Sequence, residues 1–71
     1  MYYRNVAVEL ARRGMNKATL TMELNKRNIK VSYSTLCRQL RGETDIPFGQ
    51  AVEMGKILDS DPQYLLEEVK R

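Results

Sequence analysis

Apolar residues recur along this chain at steps of three and four, the spacing of one helix face. Tyr3, Val6, Ala7, Leu10 and Ala11 predict a first amphipathic helix, and Gly14 closes it as a left-handed residue closes a helix end. Asn16 is a good N-cap for a second helix, in which Leu20 and Leu24 share a face and which runs to about Arg27. A connection through Asn28, Ile29, Lys30 and Val31 follows. Ser32 caps a third helix, Tyr33 to Arg41, and Gly42 ends it.

After an acidic loop, Pro47 suits the start of a fourth helix carrying Phe48, Ala51, Met54, Ile57 and Leu58 on one side. Asp61 followed by Pro62 starts a short fifth helix with Tyr64, Leu65 and Leu66. Nothing alternates with period two for longer than residues 30–33, and no repeat or low-complexity tract interrupts the pattern. The expectation is an all-α fold of five helices in a single domain, residues 1–71.

Composition narrows the chemistry. A chain of 71 residues buries only about 60% of its unfolded surface, so its stability is expected to be modest unless it dimerises or binds something. No apolar run approaches the ~20 residues of a membrane span, and Met1-Tyr2-Tyr3-Arg4 lacks the apolar core of a signal peptide. One cysteine forms no internal disulfide, which points to a reducing cytoplasm. With no histidine and one cysteine, the usual zinc clusters and Ser/His or Cys/His catalytic sets are missing. An enzyme is not expected, nor a cofactor, a metal or a small-molecule ligand.

Charge is divided unevenly. Residues 1–42 hold nine Lys/Arg against Glu9 and Glu23, a net +7, whereas residues 43–71 hold three against seven acids, a net −4. A basic half of this kind is an electrostatic footprint for nucleic acid. Within it, the third helix sets Tyr33, Ser34, Thr35 and Arg38 on one face and Leu36 and Leu40 on another. Hydroxyls and an arginine on a leucine-anchored helix suit base edges and phosphates in the major groove.

Several residues carry plainer readings. Cys37 is expected half-buried behind the exposed face, Gly55 at a close helix contact, and the methionines as core filler. Asp59-x-Asp61 looks like the start of a calcium loop, but the remaining ligands are missing and Pro62 makes Asp61 a cap. Arg12 and Arg13 complement the C-terminal end of the first helix.

Nearly the whole chain resembles the Cro/repressor-type (XRE-like) helix-turn-helix family, the five-helix, lambda-repressor-like DNA-binding domains of phage and bacterial regulators. The likeness rests on Val6 to Gly14, on the run Ser32-Tyr33-Ser34-Thr35-Leu36-Cys37-Arg38-Gln39-Leu40-Arg41-Gly42, on Phe48 to Leu58, and on Asp61 to Leu66. It implies a helix-turn-helix over about residues 16–42, with helices four and five over about 47–70. It also implies base contacts from Tyr33, Ser34 and Arg38, and phosphate contacts from Asn16, Lys17, Ser32, Thr35 and Arg41. Two departures stand out. The link between helices two and three is longer than the family's tight turn, and the loop after helix three carries Glu43 and Asp45 where the family is often basic.

The resemblance implies a sequence-specific, cytoplasmic, bacterial or phage-encoded transcriptional regulator, Cro-like in having no domain after residue 71. Such a regulator binds a palindromic operator as a homodimer, and Tyr64, Leu65, Leu66 and Val69 are the expected dimer surface. The alternative is a protein-interaction module (an anti-repressor, adaptor or antitoxin) that keeps the fold with weak or no DNA binding.

Overall fold

The computed structural model describes residues 3–67. Five helices follow in order: α1 (Arg4–Arg12), α2 (Lys17–Lys26), α3 (Tyr33–Leu40), α4 (Phe48–Leu58) and α5 (Pro62–Leu65). No strand occurs among the described residues, and none of their helices is long and apolar enough to cross a membrane. The all-α expectation therefore holds.

The sequence starts these helices by side-chain capping. Asn16 Oδ1 accepts from the Thr19 amide at 2.8 Å, Ser32 Oγ from the Thr35 amide at 3.1 Å, and Asp61 Oδ1 from the Gln63 amide at 2.8 Å. Each bond satisfies one of the amide groups that a helix start leaves without an intrahelical partner.

Helix ends share one device. Gly14, Asn28, Gly42 and Asp59 all have positive φ, at 62°, 65°, 78° and 50°. The next residue's amide then reaches back five positions in every case. Met15 bonds Leu10, Ile29 bonds Leu24, Glu43 bonds Arg38 and Ser60 bonds Gly55, at 2.8–3.0 Å. That is the Schellman closure, and it returns orphan carbonyls to the hydrogen-bond network. Glycine adopts positive φ without strain, and asparagine and aspartate tolerate it better than most. Helices two and three consequently end one residue earlier than expected, at Lys26 and Leu40.

The core threads through all five helices. Val6 and Leu10, Leu20 and Leu24, Leu36 and Leu40, Ala51, Met54 and Leu58, and Leu65 are buried together with Tyr3, Val31 and Ile46. Helix α2 packs on α3 and α4, while α5 packs on α4 and α1. Gly55 sits where a Cβ would lie 2.5 Å from the Ser60 carbonyl oxygen. The close approach expected there is real.

Four details depart from the periodic pattern. Ala7 and Ala11 are exposed and Glu9 is buried in their place, because α5 covers that side of α1 and supplies a partner for the carboxylate. Phe48 is 69% exposed, since Ile46 and Gln50 fill the core at the start of α4. Met22 is exposed too, so the methionines are not all core filler. Leu65 is fully buried, which withdraws it from any dimer surface. Tyr64 is half-buried with its hydroxyl bonded to Glu9. Leu66 is half-buried against the core, and Val69 lies outside the described residues.

Candidate nucleic-acid interface

The outward face of α3 follows from what its other face buries. Leu36, Gln39 and Leu40 turn into the protein, which leaves Tyr33, Ser34, Thr35 and Arg38 exposed and Cys37 half-exposed between them. Hydroxyls at the start of the helix are interlinked. Ser32 Oγ donates to Thr35 Oγ1 at 2.9 Å and lies 3.3 Å from Ser34 Oγ. Tyr33 keeps its phenol exposed and raised in pKa by the Cys37 thiol one turn on, so it is a neutral donor at physiological pH.

The start of α2 lies beside the start of α3. Asn16, Lys17 and Ala18 share a shallow groove of about 570 Å³ with Tyr33, floored by Ala7, Leu10, Ala11 and Met15 of the α1 region. Asn16 Oδ1 is occupied by the Thr19 amide and hydroxyl. Its amide nitrogen has no partner among the described residues. The groove thus gathers Asn16, Lys17 and Tyr33, three of the expected contacts, on one side of the molecule.

The long connection between α2 and α3 is tied back to α2 by side-chain hydrogen bonds. Asn28 ends α2, and Asn25 Nδ2 then donates both to the Thr21 carbonyl at 2.7 Å and to the Val31 carbonyl at 3.0 Å. Ile29 and Val31 turn inward against the core. The extra length is therefore a strapped turn, not an extension of α2.

Ion pairing sorts the cations. Arg12 and Arg13 pair with Glu9, Lys26 with Glu23, Arg27 and Lys56 with Glu53, and Arg41 with Glu43 at 2.7 Å. The Glu43 hydrogen bond and charge hold the Arg41 guanidinium firmly protonated. Of the expected phosphate contacts, Arg41 is thus the one whose charge is already offset. Arg4, Lys17, Lys30 and Arg38 have no acidic partner among the described residues.

Two of these four were not expected. Lys30 lies exposed in the strapped turn. Arg4 opens α1, and the Tyr3 amide donates to the Leu40 carbonyl at 3.0 Å, which sets the start of α1 against the end of α3. A signal for both was present in the sequence. Arg12, Arg13, Lys26 and Lys56 each have a glutamate three or four residues earlier, and Arg4 and Lys30 have none.

No group of three or more histidine, cysteine or acidic side chains poised to hold a metal occurs among the described residues. No protein-family model, curated protein or solved structure matches this chain.

Proposed function

We propose that this protein is a sequence-specific double-stranded DNA-binding transcriptional regulator, Cro-like and probing the major groove with α3. In this reading α2, the strapped turn and α3 form a helix-turn-helix. Tyr33, Ser34 and Arg38 meet base edges, while Asn16 and Lys17 hold phosphate beside the start of α2. The single observation that carries the reading is the coincidence of unpaired cations with the polar face of α3. Among the described residues Lys17 at the start of α2, Lys30 in the turn and Arg38 on the outward face of α3 have no acidic partner, whereas Lys26, Arg27 and Arg41, at the far ends of α2 and α3, are paired with glutamates.

Arginine pairs bidentately with guanine, a hydroxyl accepts or donates to any base, and a tyrosine ring can cover a thymine methyl. Ser32 and Thr35, already bonded to each other, contribute less than isolated hydroxyls and serve mainly to set the helix start. One small module reads few base pairs, so a homodimer on a two-fold operator is the expected assembly, with half-sites about 34 Å apart. In this reading the protein is cytoplasmic, bacterial or phage-encoded, and associated with the nucleoid.

Selection on random double-stranded DNA at about physiological salt tests the reading. An enriched motif supports it, two-fold symmetric for a dimer and single for a monomer. No enrichment rejects it.

A protein-interaction role is the second reading, and Phe48 is the observation that favours it. An aromatic side chain this exposed beside the acidic loop of Glu43 and Asp45 suits a partner with an apolar pocket and a basic rim. Pull-down with the parent and Phe48→Ala proteins distinguishes a contact through that residue.

A further inference from the structure

Gln39 on α3 and Gln50 on α4 are the two uncharged polar residues buried in the described core, at 5% and 4% exposure. Their amides face each other reciprocally. Gln50 Nε2 donates to Gln39 Oε1 at 2.7 Å, and Gln39 Nε2 donates to Gln50 Oε1 at 3.3 Å. Gln39 Nε2 also reaches the Asp45 carbonyl at 3.3 Å, and Gln50 Nε2 lies 3.8 Å from Met54 Sδ. No buried side-chain nitrogen or oxygen among the described residues lacks a partner. The reading of α3 as a DNA-facing helix makes no use of this pair.

We propose that the Gln39–Gln50 amide pair is a positioning device that fixes the rotation of α3 and so aims Tyr33, Ser34 and Arg38. The inference rests on the DNA-reading role of α3.

Leucine contacts alone tolerate sliding, because dispersion is soft and has no direction. An amide pair does not. Both ends of each bond must stay near 2.9 Å and near linear, or two buried polar groups are left without partners. Turning a helix by about 20° displaces its side-chain surface by about 2 Å, well beyond what a hydrogen bond allows. Gln39 adjoins Arg38 in sequence, so a rotation that parts the amides swings the guanidinium by at least that much. A buried polar pair adds little net stability over an apolar one, and its attested use is to specify one arrangement. Helix α3 needs such a device because it has eight residues, too few to hold its setting alone. The Asp45 carbonyl bond extends the hold to the loop between α3 and α4.

The test is the double variant Gln39→Met/Gln50→Met, which keeps side-chain length and removes both amides. Thermal unfolding, amide exchange along α3, and affinity for the selected site against a scrambled duplex over a salt series are compared with the parent. The expected result is a Tm within about 5 °C of the parent, about 1 kcal/mol or less for a domain of this size. The salt slope stays unchanged, α3 amides exchange faster, and the site-to-scrambled affinity ratio falls at least about tenfold, the scale of one good base contact.

A ratio within about twofold of the parent's overturns the proposal, and so does a double variant that fails to fold, which would make the amides a stability element. Failure of the DNA reading itself is distinguishable, because the parent would then select no site. The exchange data still decide the structural half in that case. Acceleration confined to α3 upholds the pair as its positioning device, and uniform acceleration overturns it.

Discussion

The hydroxyl of Tyr64 donates a 3.1 Å hydrogen bond to Oε2 of Glu9, joining α5 to α1 across 55 residues of sequence. The same carboxylate takes Arg13 Nη1 at 2.7 Å on its other oxygen and Arg12 Nη1 at 3.3 Å. Asn5 Nδ2 adds a bond to the Tyr64 carbonyl at 2.8 Å. A four-residue helix has almost no stability of its own. Helix α5 therefore owes its place to Leu65 in the core and to this polar clasp at its side.

The clasp makes stability depend on pH in a definite direction. Burial pushes the Glu9 carboxyl up, but the Tyr64 hydrogen bond, the Arg13 hydrogen bond and the two guanidinium charges outweigh it and hold its pKa below the ordinary 4.5. A depressed folded pKa stabilises above the unfolded value, and that stabilisation is lost as pH falls through the folded one. Tyr64 runs the other way. Burial and then the Glu9 contact raise its phenol above 10.0, so its contribution is present below that pH and is lost as pH rises through the raised value. Glu9→Gln is expected to lower Tm at pH 7 and to flatten the fall in Tm between about pH 5 and pH 3. Some fall persists, because Glu53 is also depressed, first by its Lys56 hydrogen bond. An acid limb as steep in Glu9→Gln as in the parent would remove Glu9 from the clasp.

Two glycines in α4 predict opposite effects of the same substitution. A Cβ at Gly49 meets nothing within 4 Å, whereas at Gly55 it meets the Ser60 carbonyl oxygen at 2.5 Å. Gly49→Ala gains helix propensity, about 0.5–1 kcal/mol, and raises Tm by a few degrees. Gly55→Ala gains the same propensity but drives α4 off the Ser60 backbone, and overpacking of this kind costs about 1–3 kcal/mol. Thermal unfolding of both variants checks the pair. A stabilised Gly55→Ala would mean that the turn after α4 shifts without cost.

The helices were legible because their signals are local. Asn16, Ser32 and Asp61 as caps, Gly14 and Gly42 as terminators, and the leucine spacing all act within a few residues. Asn28 and Asp59 carry no such local signal as terminators, since asparagine and aspartate take positive φ only when the next turn requires it. The burial of Glu9 was not legible at all. Its partner Tyr64 is distant in sequence, and only tertiary packing turns an apparent solvent-facing acid into a core residue. Phe48 failed for the converse reason. Periodicity put it on the buried face, but Ile46, outside the helix, reached the core first. At the interface, the exposed face of α3 was readable from Leu36 and Leu40, and Arg41's partner was not, because Glu43 lies beyond the helix end.

Asn28 tests the strapped turn directly. At φ 65° it occupies a conformation that costs an ordinary L-residue about 1–2 kcal/mol. Asn28→Gly is expected to keep or slightly raise Tm, and Asn28→Ala to lower it by several degrees. Unchanged stability in Asn28→Ala would show that the α2–α3 connection has a second, equally good path.

The sorting of cations into paired and unpaired gives the sharpest test of the DNA reading, because it ranks arginines that look alike in the sequence. Arg38 has no acidic partner among the described residues and sits on the outward face of α3, so Arg38→Ala should cost about 1–3 kcal/mol at the selected site and relax one base position. Lys17→Ala should weaken binding to all duplexes alike and reduce the salt slope by about 1, as a phosphate contact does. Arg41 differs. Its guanidinium is held 2.7 Å from Glu43 Oε2, so Arg41→Ala removes a charge already offset and should change affinity little. Glu43→Gln is then the informative variant. It keeps the side-chain length, frees the Arg41 charge, and should tighten binding to every duplex while raising the salt slope by up to about 1. A Glu43→Gln protein with unchanged affinity and slope would place Arg41 away from the phosphates, whereas equal losses in Arg38→Ala and Arg41→Ala would refute the ranking itself.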